Sequence, residues 1–215
     1  MNRPLEQSLR WVEEGTELCR KAIAGLDETA YGAPSGLDGW TRKHLVAHLA
    51  ANAEAIGRLV SWARTGHEQR MYSSREQRNA DIQAGAKLSG EQLTSWFEQS
   101  ARELAMAMAG LPDEAWQAEV VTAQGRTVPA TETPWMRSRE VMVHATDLGT
   151  GLAFTGLPGD FLAALRADIT SKRGAQNVPA VHGSDADVTA YLAGRPYSGV
   201  TTPDGAPVPE LPPWL

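Results

Sequence analysis

Cysteine is nearly absent from this chain: one residue, Cys19, in 215. No disulfide can close within it, so packing must hold the fold, and a reducing cytoplasmic compartment is the expectation. An excess of cations is missing too, since 20 Lys and Arg face 26 Asp and Glu for a net charge of −6. Binding a phosphate backbone needs clustered Lys and Arg, so no nucleic-acid partner is expected; a local basic pocket for a small dianion is still allowed. Long apolar runs are lacking as well. No stretch approaches eighteen apolar residues, and the opening MNRPLEQSLRWVEEG carries no signal-peptide core. Neither a membrane span nor secretion is expected.

What is present is an ordinary globular composition, 42% hydrophobic and 21% charged, without internal repeats. The length suits one large domain, or a main domain with a small one. Leu5, Leu9, Val12, Cys19, Ile23 and Leu26 recur three and four apart, as on one face of a first long helix. Cys19 lies in that stripe and reads as a small core hydrophobe without an electropositive neighbour, not as a nucleophile. After the turn-rich YGAPSGLDG, Trp40 and Thr41 look like a staple and an N-cap for a helix over about 42–64. Ser89 and Gln92 form a capping-box pattern opening a third helix through Ala109, which Gly110 ends. Residues 66–88 between them read as a polar connection holding Arg70, Arg75 and Arg78.

Residues 117–131 resemble a short hairpin bending at Gln124-Gly125. Thr133-Pro134 then starts a fourth helix reaching about Asp147. Four long helices predict a bundle over 1–150 whose facing side chains can build a metal site. Beyond Gly151 the texture changes: a helix over about 158–172, another opened by Ser184, a Pro-Asp-Gly turn and a proline-rich tail predict a small α/β domain over 151–215.

Glu140 and His144 stand four apart and share one face of the fourth helix. Carboxylate oxygen and imidazole nitrogen are ordinary zinc ligands, although the spacing alone far more often marks an exposed helical pair. The second helix offers His44 and His48. With Leu45, Asn52, Ile56, Leu59 and Ala63 as the buried stripe, His48 lies inside it and His44 at its edge. Periodicity alone leaves His48 equally a hydrogen-bonded core histidine. His67 and His182 fall in connections and are expected in solvent. Two histidines and one carboxylate on facing helices would leave an open coordination position, as catalytic zinc sites do.

The run VTAQGRTVPATETPWMRSREVMVHATDLG (121–149) resembles the signature of the mycothiol-dependent maleylpyruvate isomerases. The second helix, GWTRKHLVAHLAANAEAIGRLVSWARTG, is similar to the matching helix of that family, as are MYSSREQRNADIQAG and the ending AGRPYSGVTTPDGAPVPELPPWL. The resemblance implies a mainly α protein, a DinB-like four-helix bundle with a small α/β C-terminal domain. It implies His48, Glu140 and His144 as ligands of zinc or another divalent metal, and Arg78 and Arg195 as residues important for activity. It implies a small-molecule substrate and a low-molecular-weight thiol, mycothiol, as cofactor. From the sequence alone both arginines would be surface charges; Arg75, Arg137 and Arg139 are weaker candidates for anion contacts, with helix-surface charge as their default reading.

The implied reaction turns the cis double bond of maleylpyruvate into the trans bond of fumarylpyruvate, in gentisate degradation. Addition of a thiolate makes the bond single, rotation follows, and elimination restores it. With mycothiol supplying sulfur, Cys19 has no catalytic task. One departure from the family concerns residues 170–187, where the chain is shorter than usual and part of the small domain's sheet is in question. Two rival readings remain: a mycothiol S-transferase that releases a conjugate of another electrophile, and a non-catalytic metal- or ligand-binding bundle.

Overall fold

Each long helix carries its own start and stop signals. The structure, a computed structural model, describes residues 3–211 and 214; Pro212, Pro213 and Leu215 of the proline-rich tail lie outside them. The chain divides into two compact units, residues 1–150 and 151–215.

In the first unit, α1 (Leu5–Ile23) has Glu6 in its first turn and Arg20 and Lys21 in its last, the signs that suit the helix dipole. It buries Trp11, Val12, Gly15, Cys19 and Ile23. A short α2 (Glu28–Gly32) follows, capped by Asp27, whose side chain accepts from the Ala30 N–H. The long α3 (Arg42–Thr65) starts at Thr41 and stops at Gly66, whose φ of 73° is the left-handed conformation that glycine adopts freely. Alanines 47, 50, 51, 53 and 55 keep α3 slim enough for partners on several sides. Helix α5 (Gly90–Ala109) opens with the expected Ser89–Gln92 capping box, and α6 (Thr133–Asp147) with proline in its first turn. Between them β1 (Glu119–Val121) and β2 (Thr127–Pro129) pair antiparallel, turning at Gly125 with φ 78°.

Helix α1 packs on α6, and α3 packs on both α5 and α6. Gly15 makes the first contact intimate: a Cβ there would stand 2.5 Å from Val141 Cγ2. Arg20 ties α1 to α5 through Glu98, at 2.8 and 2.9 Å. Arg42 at the start of α3 donates to the carbonyls of Leu148 and Gly149, groups that the end of α6 leaves without helical partners.

The 66–88 segment departs from the expected irregular connection, because it contains helix α4 (Arg75–Gly85). Ser74 caps it, accepting from the Gln77 N–H, and only Ile82 and Gly85 are buried. With a single large apolar residue in REQRNADIQAG, there is no periodic stripe to announce a helix.

The second unit holds α7 (Gly159–Arg173) and α8 (Asp185–Leu192), the latter capped by Ser184 as expected. Among the described residues its β component, however, is limited to isolated bridges, His182–Thr201 and Thr201–Pro207. Prolines 207 and 209 offer no N–H to a ladder, so the pairing does not propagate. The fold as a whole is mainly α. Among the described residues no helix is long and apolar enough to cross a membrane.

Candidate metal centre

Helix α3 contributes His48, and α6 contributes Glu140 and His144 one turn apart. Both imidazoles converge on one carboxylate oxygen: His48 Nε2 is 2.9 Å and His144 Nε2 3.3 Å from Glu140 Oε2. The rings meet edge to face with centroids 5.2 Å apart. Both histidines are buried, and Glu140 retains about a fifth of its side-chain exposure.

Each group's protonation follows from these neighbours. Burial pushes the Glu140 carboxyl upward, but hydrogen bonds and charge from His144 and His48 outweigh it and hold the group well below the usual carboxylate range. For His48 burial prevails over Glu140, and its pKa is lowered. For His144 burial is outweighed by Asp147 and Glu140 together, raising it to about 9.

Asp147 escaped the sequence reading. It is buried, one turn beyond His144, and its Oδ2 accepts from His144 Nδ1 at 2.8 Å. A carboxylate on the far nitrogen orients a metal-binding histidine and leaves Nε2 as the ligand atom. Its i+3 spacing from His144 was the available signal, but that spacing is common on helices.

Could these three residues hold a cation? Two imidazole nitrogens and a carboxylate oxygen lie within 4.8 Å of one another. Ligand atoms about 2.0–2.2 Å from a tetrahedral ion stand about 3.3–3.6 Å apart, so the His144–Glu140 distance already suits zinc and the His48–Glu140 distance needs only slight expansion. The donor set fits.

His44 is not part of the cluster. Its Nδ1 faces the Thr41 hydroxyl at 2.8 Å and the Thr41 N–H at 3.3 Å, so it serves the helix cap. Trp40 stacks on His44 and meets His48 edge-on, with centroids 5.6 Å apart, walling the site with an apolar ring. His67 and His182 are exposed. Arg78, on α4, does reach the cluster, donating from Nη2 to His48 Nδ1 at 3.3 Å, with its guanidinium 5.8 Å from the Tyr72 ring. Arg195 belongs to the second unit; far from being a surface charge, it is buried and donates to the Ala193 carbonyl at 3.1 Å. Arg75 is exposed, and Arg139 lies 5.7 Å from the Trp135 ring. Arg137 is a correction: expected on a helix surface, it is fully buried. Cys19 is buried, its thiol donating to the Val141 carbonyl and pushed up to about 12 by burial, the opposite of an activated thiolate.

A family model described as the mycothiol maleylpyruvate isomerase N-terminal domain matches residues 12–149. The chain belongs to this family. Its structure is similar to a crystal structure of the mycothiol-dependent maleylpyruvate isomerase, with 40% identity and a TM-score of 0.92 over 99% of this chain and 98% of that one. The same figures describe its likeness to a histidine-to-alanine mutant of that enzyme. A comparison with curated proteins gave no match. Family membership covers α1 from Val12, α3 and α6, so it spans every helix that supplies the His/Glu/His cluster.

Proposed function

We propose that this chain isomerises maleylpyruvate to fumarylpyruvate with mycothiol as its thiol, at a divalent metal held by His48, Glu140 and His144. One observation carries the reading: a chain 40% identical over its full length to an isomerase of that name places two imidazoles and a carboxylate on facing helices.

A zinc ion there would supply Lewis acidity, keeping the mycothiol sulfur as the thiolate that adds to the double bond and leaves again. The chain's own residues set the conditions. Two neutral imidazoles and one carboxylate carry a single negative charge, so a dication held there would keep a net positive charge that favours an anionic sulfur. Three ligands leave a coordination position open. Glu140 stays ionised throughout the neutral range, and Asp147 fixes which nitrogen of His144 faces the site.

Arg78 has two partners in prospect. When His48 gives Nε2 to a cation, its proton resides on Nδ1, which then no longer accepts from Arg78. The guanidinium is released beside the site, where it pairs with a substrate carboxylate or the enolate oxygen formed after thiol addition. Arg195 is assigned a second such role on family likeness alone.

The test is to incubate maleylpyruvate with the zinc-loaded protein, with and without mycothiol, and to follow both products and thiol. Fumarylpyruvate formed only with mycothiol, the thiol being returned unchanged, is the expected result. A stable thiol conjugate in its place would make the protein an S-transferase.

A further inference from the structure

Arg137 is the most deeply buried charged side chain among the described residues of the bundle. It is fully buried, and burial lowers its pKa only to about 10, so it remains a cation at neutral pH. No carboxylate forms a salt bridge with it among the described residues, and its Nη2 has no hydrogen-bond partner. An arginine buried this way costs several kcal/mol unless its contacts return the energy. Coulomb's law adds a second objection, because Arg137 lies one turn before Glu140 and a fixed cation there repels a metal ion.

Its hydrogen bonds answer the first objection and show what is gained against the second. Nη1 donates at 2.8 Å to the Leu49 carbonyl and at 2.8 Å to Asn52 Oδ1. Leu49 follows His48 directly, and Asn52, itself buried, is one turn beyond it. One planar group on α6 thus grips α3 at the backbone of the residue next to one ligand, while standing three residues from another. The two helices that must share a cation are pinned in register within one turn of it, where a slip of one residue would turn His48 away from Glu140. Other directional links are the His48–Glu140 pair itself and, at the far end of α6, Arg42 on the Leu148 and Gly149 carbonyls; apolar contacts are non-directional and do not fix register so sharply.

We infer that Arg137, with Asn52, is a positioning residue of the metal centre: its guanidinium sets the register of α3 against α6 and so the spacing of His48 from Glu140 and His144. This rests on the metal reading above. The sign of the effect separates positioning from charge. Were Arg137 merely a neighbouring cation, Arg137→Met would tighten zinc binding; as a positioning residue, its loss weakens it.

Zinc affinity is measured by competition with a chromophoric chelator, at a temperature where circular dichroism shows every variant folded. Arg137→Met is expected to weaken binding at least tenfold, Arg137→Lys to recover part of the loss, and Asn52→Ala to weaken binding by a smaller factor, since the Leu49 carbonyl stays gripped. If Arg137→Met does not fold, Asn52→Ala and Arg137→Lys carry the test. Unchanged or tighter binding in the folded variants overturns the inference. Wild-type protein that takes up no zinc overturns the metal reading itself, a different outcome.

Discussion

Asp147 accepts the Nδ1 proton of His144 at 2.8 Å, and that contact leaves Nε2 of the same ring facing Glu140 at 3.3 Å. The ring is therefore aimed before any cation arrives. Held between two carboxylates, it is also the most basic group of the cluster, protonated up to about 9.

Zinc must displace that proton, which fixes the direction of the pH dependence. Because the pKa is raised above 6.5, protonated His144 stabilises the metal-free fold fully below pH 6.5, and this contribution is lost as pH rises through about 9. Zinc affinity is expected to rise with pH across the neutral range and level off above about 9, with proton release on binding at pH 7. Chelator competition across that range checks it; a flat profile would mean His144 is not a ligand. About one unit above the pKa of His144, where proton competition has largely gone, Asp147→Asn should still weaken binding about 10–100-fold through lost orientation.

Arg78→Ala separates substrate handling from metal holding. Turnover is expected to fall about 100-fold or more, as for loss of a group that stabilises developing negative charge. Zinc affinity should be unchanged or slightly higher, because Arg78 donates to the His48 nitrogen that must carry the proton once metal binds. Steady-state kinetics beside metal analysis reads both; loss of zinc together with activity would assign Arg78 to the centre's structure.

Cys19→Ala should leave turnover intact and lower stability by about 1 kcal/mol, the scale of one lost buried group. In the native protein the thiol should resist alkylation until denaturant is added, since it is fully buried and protonated to about 12. Rapid labelling with loss of activity would return a nucleophilic reading to Cys19.

Gly15→Ala tests the contact that backs the site. The added methyl meets Val141, next to Glu140, at 2.5 Å. Overpacking costs about 1–3 kcal/mol, and the better helix propensity of alanine returns about 1. A net loss of up to about 2 kcal/mol in denaturant unfolding is expected; a gain in stability would show that α1 and α6 are not in close contact there.

The long helices were legible because their signals are local: the Ser89–Gln92 box, Thr133-Pro134 and the stripe along α1 need no knowledge of distant residues. Helix α4 was not, since a polar helix with only Ile82 and Gly85 buried has no period to read. In the centre, the position of His48 within a buried stripe favoured it over His44, but that preference did not make it a ligand. What brings it to Glu140 is the packing of α3 on α6, a long-range fact. Arg137 shows the limit most clearly. A charge in a helix reads as solvent-exposed by default, and only the packed structure reveals that its partners are a carbonyl and an amide on another helix.

Cobalt(II) tests the central claim most directly, because its absorption reports ligand type. The claim is that His48, Glu140 and His144 together hold one metal whose open position takes the sulfur of mycothiol. Protein loaded with one cobalt per chain, titrated with mycothiol, should develop an intense near-ultraviolet sulfur-to-metal band that saturates at one thiol, and His144→Ala should show none. Stoichiometric cobalt uptake with no such band, or the same band in His144→Ala, would contradict the account.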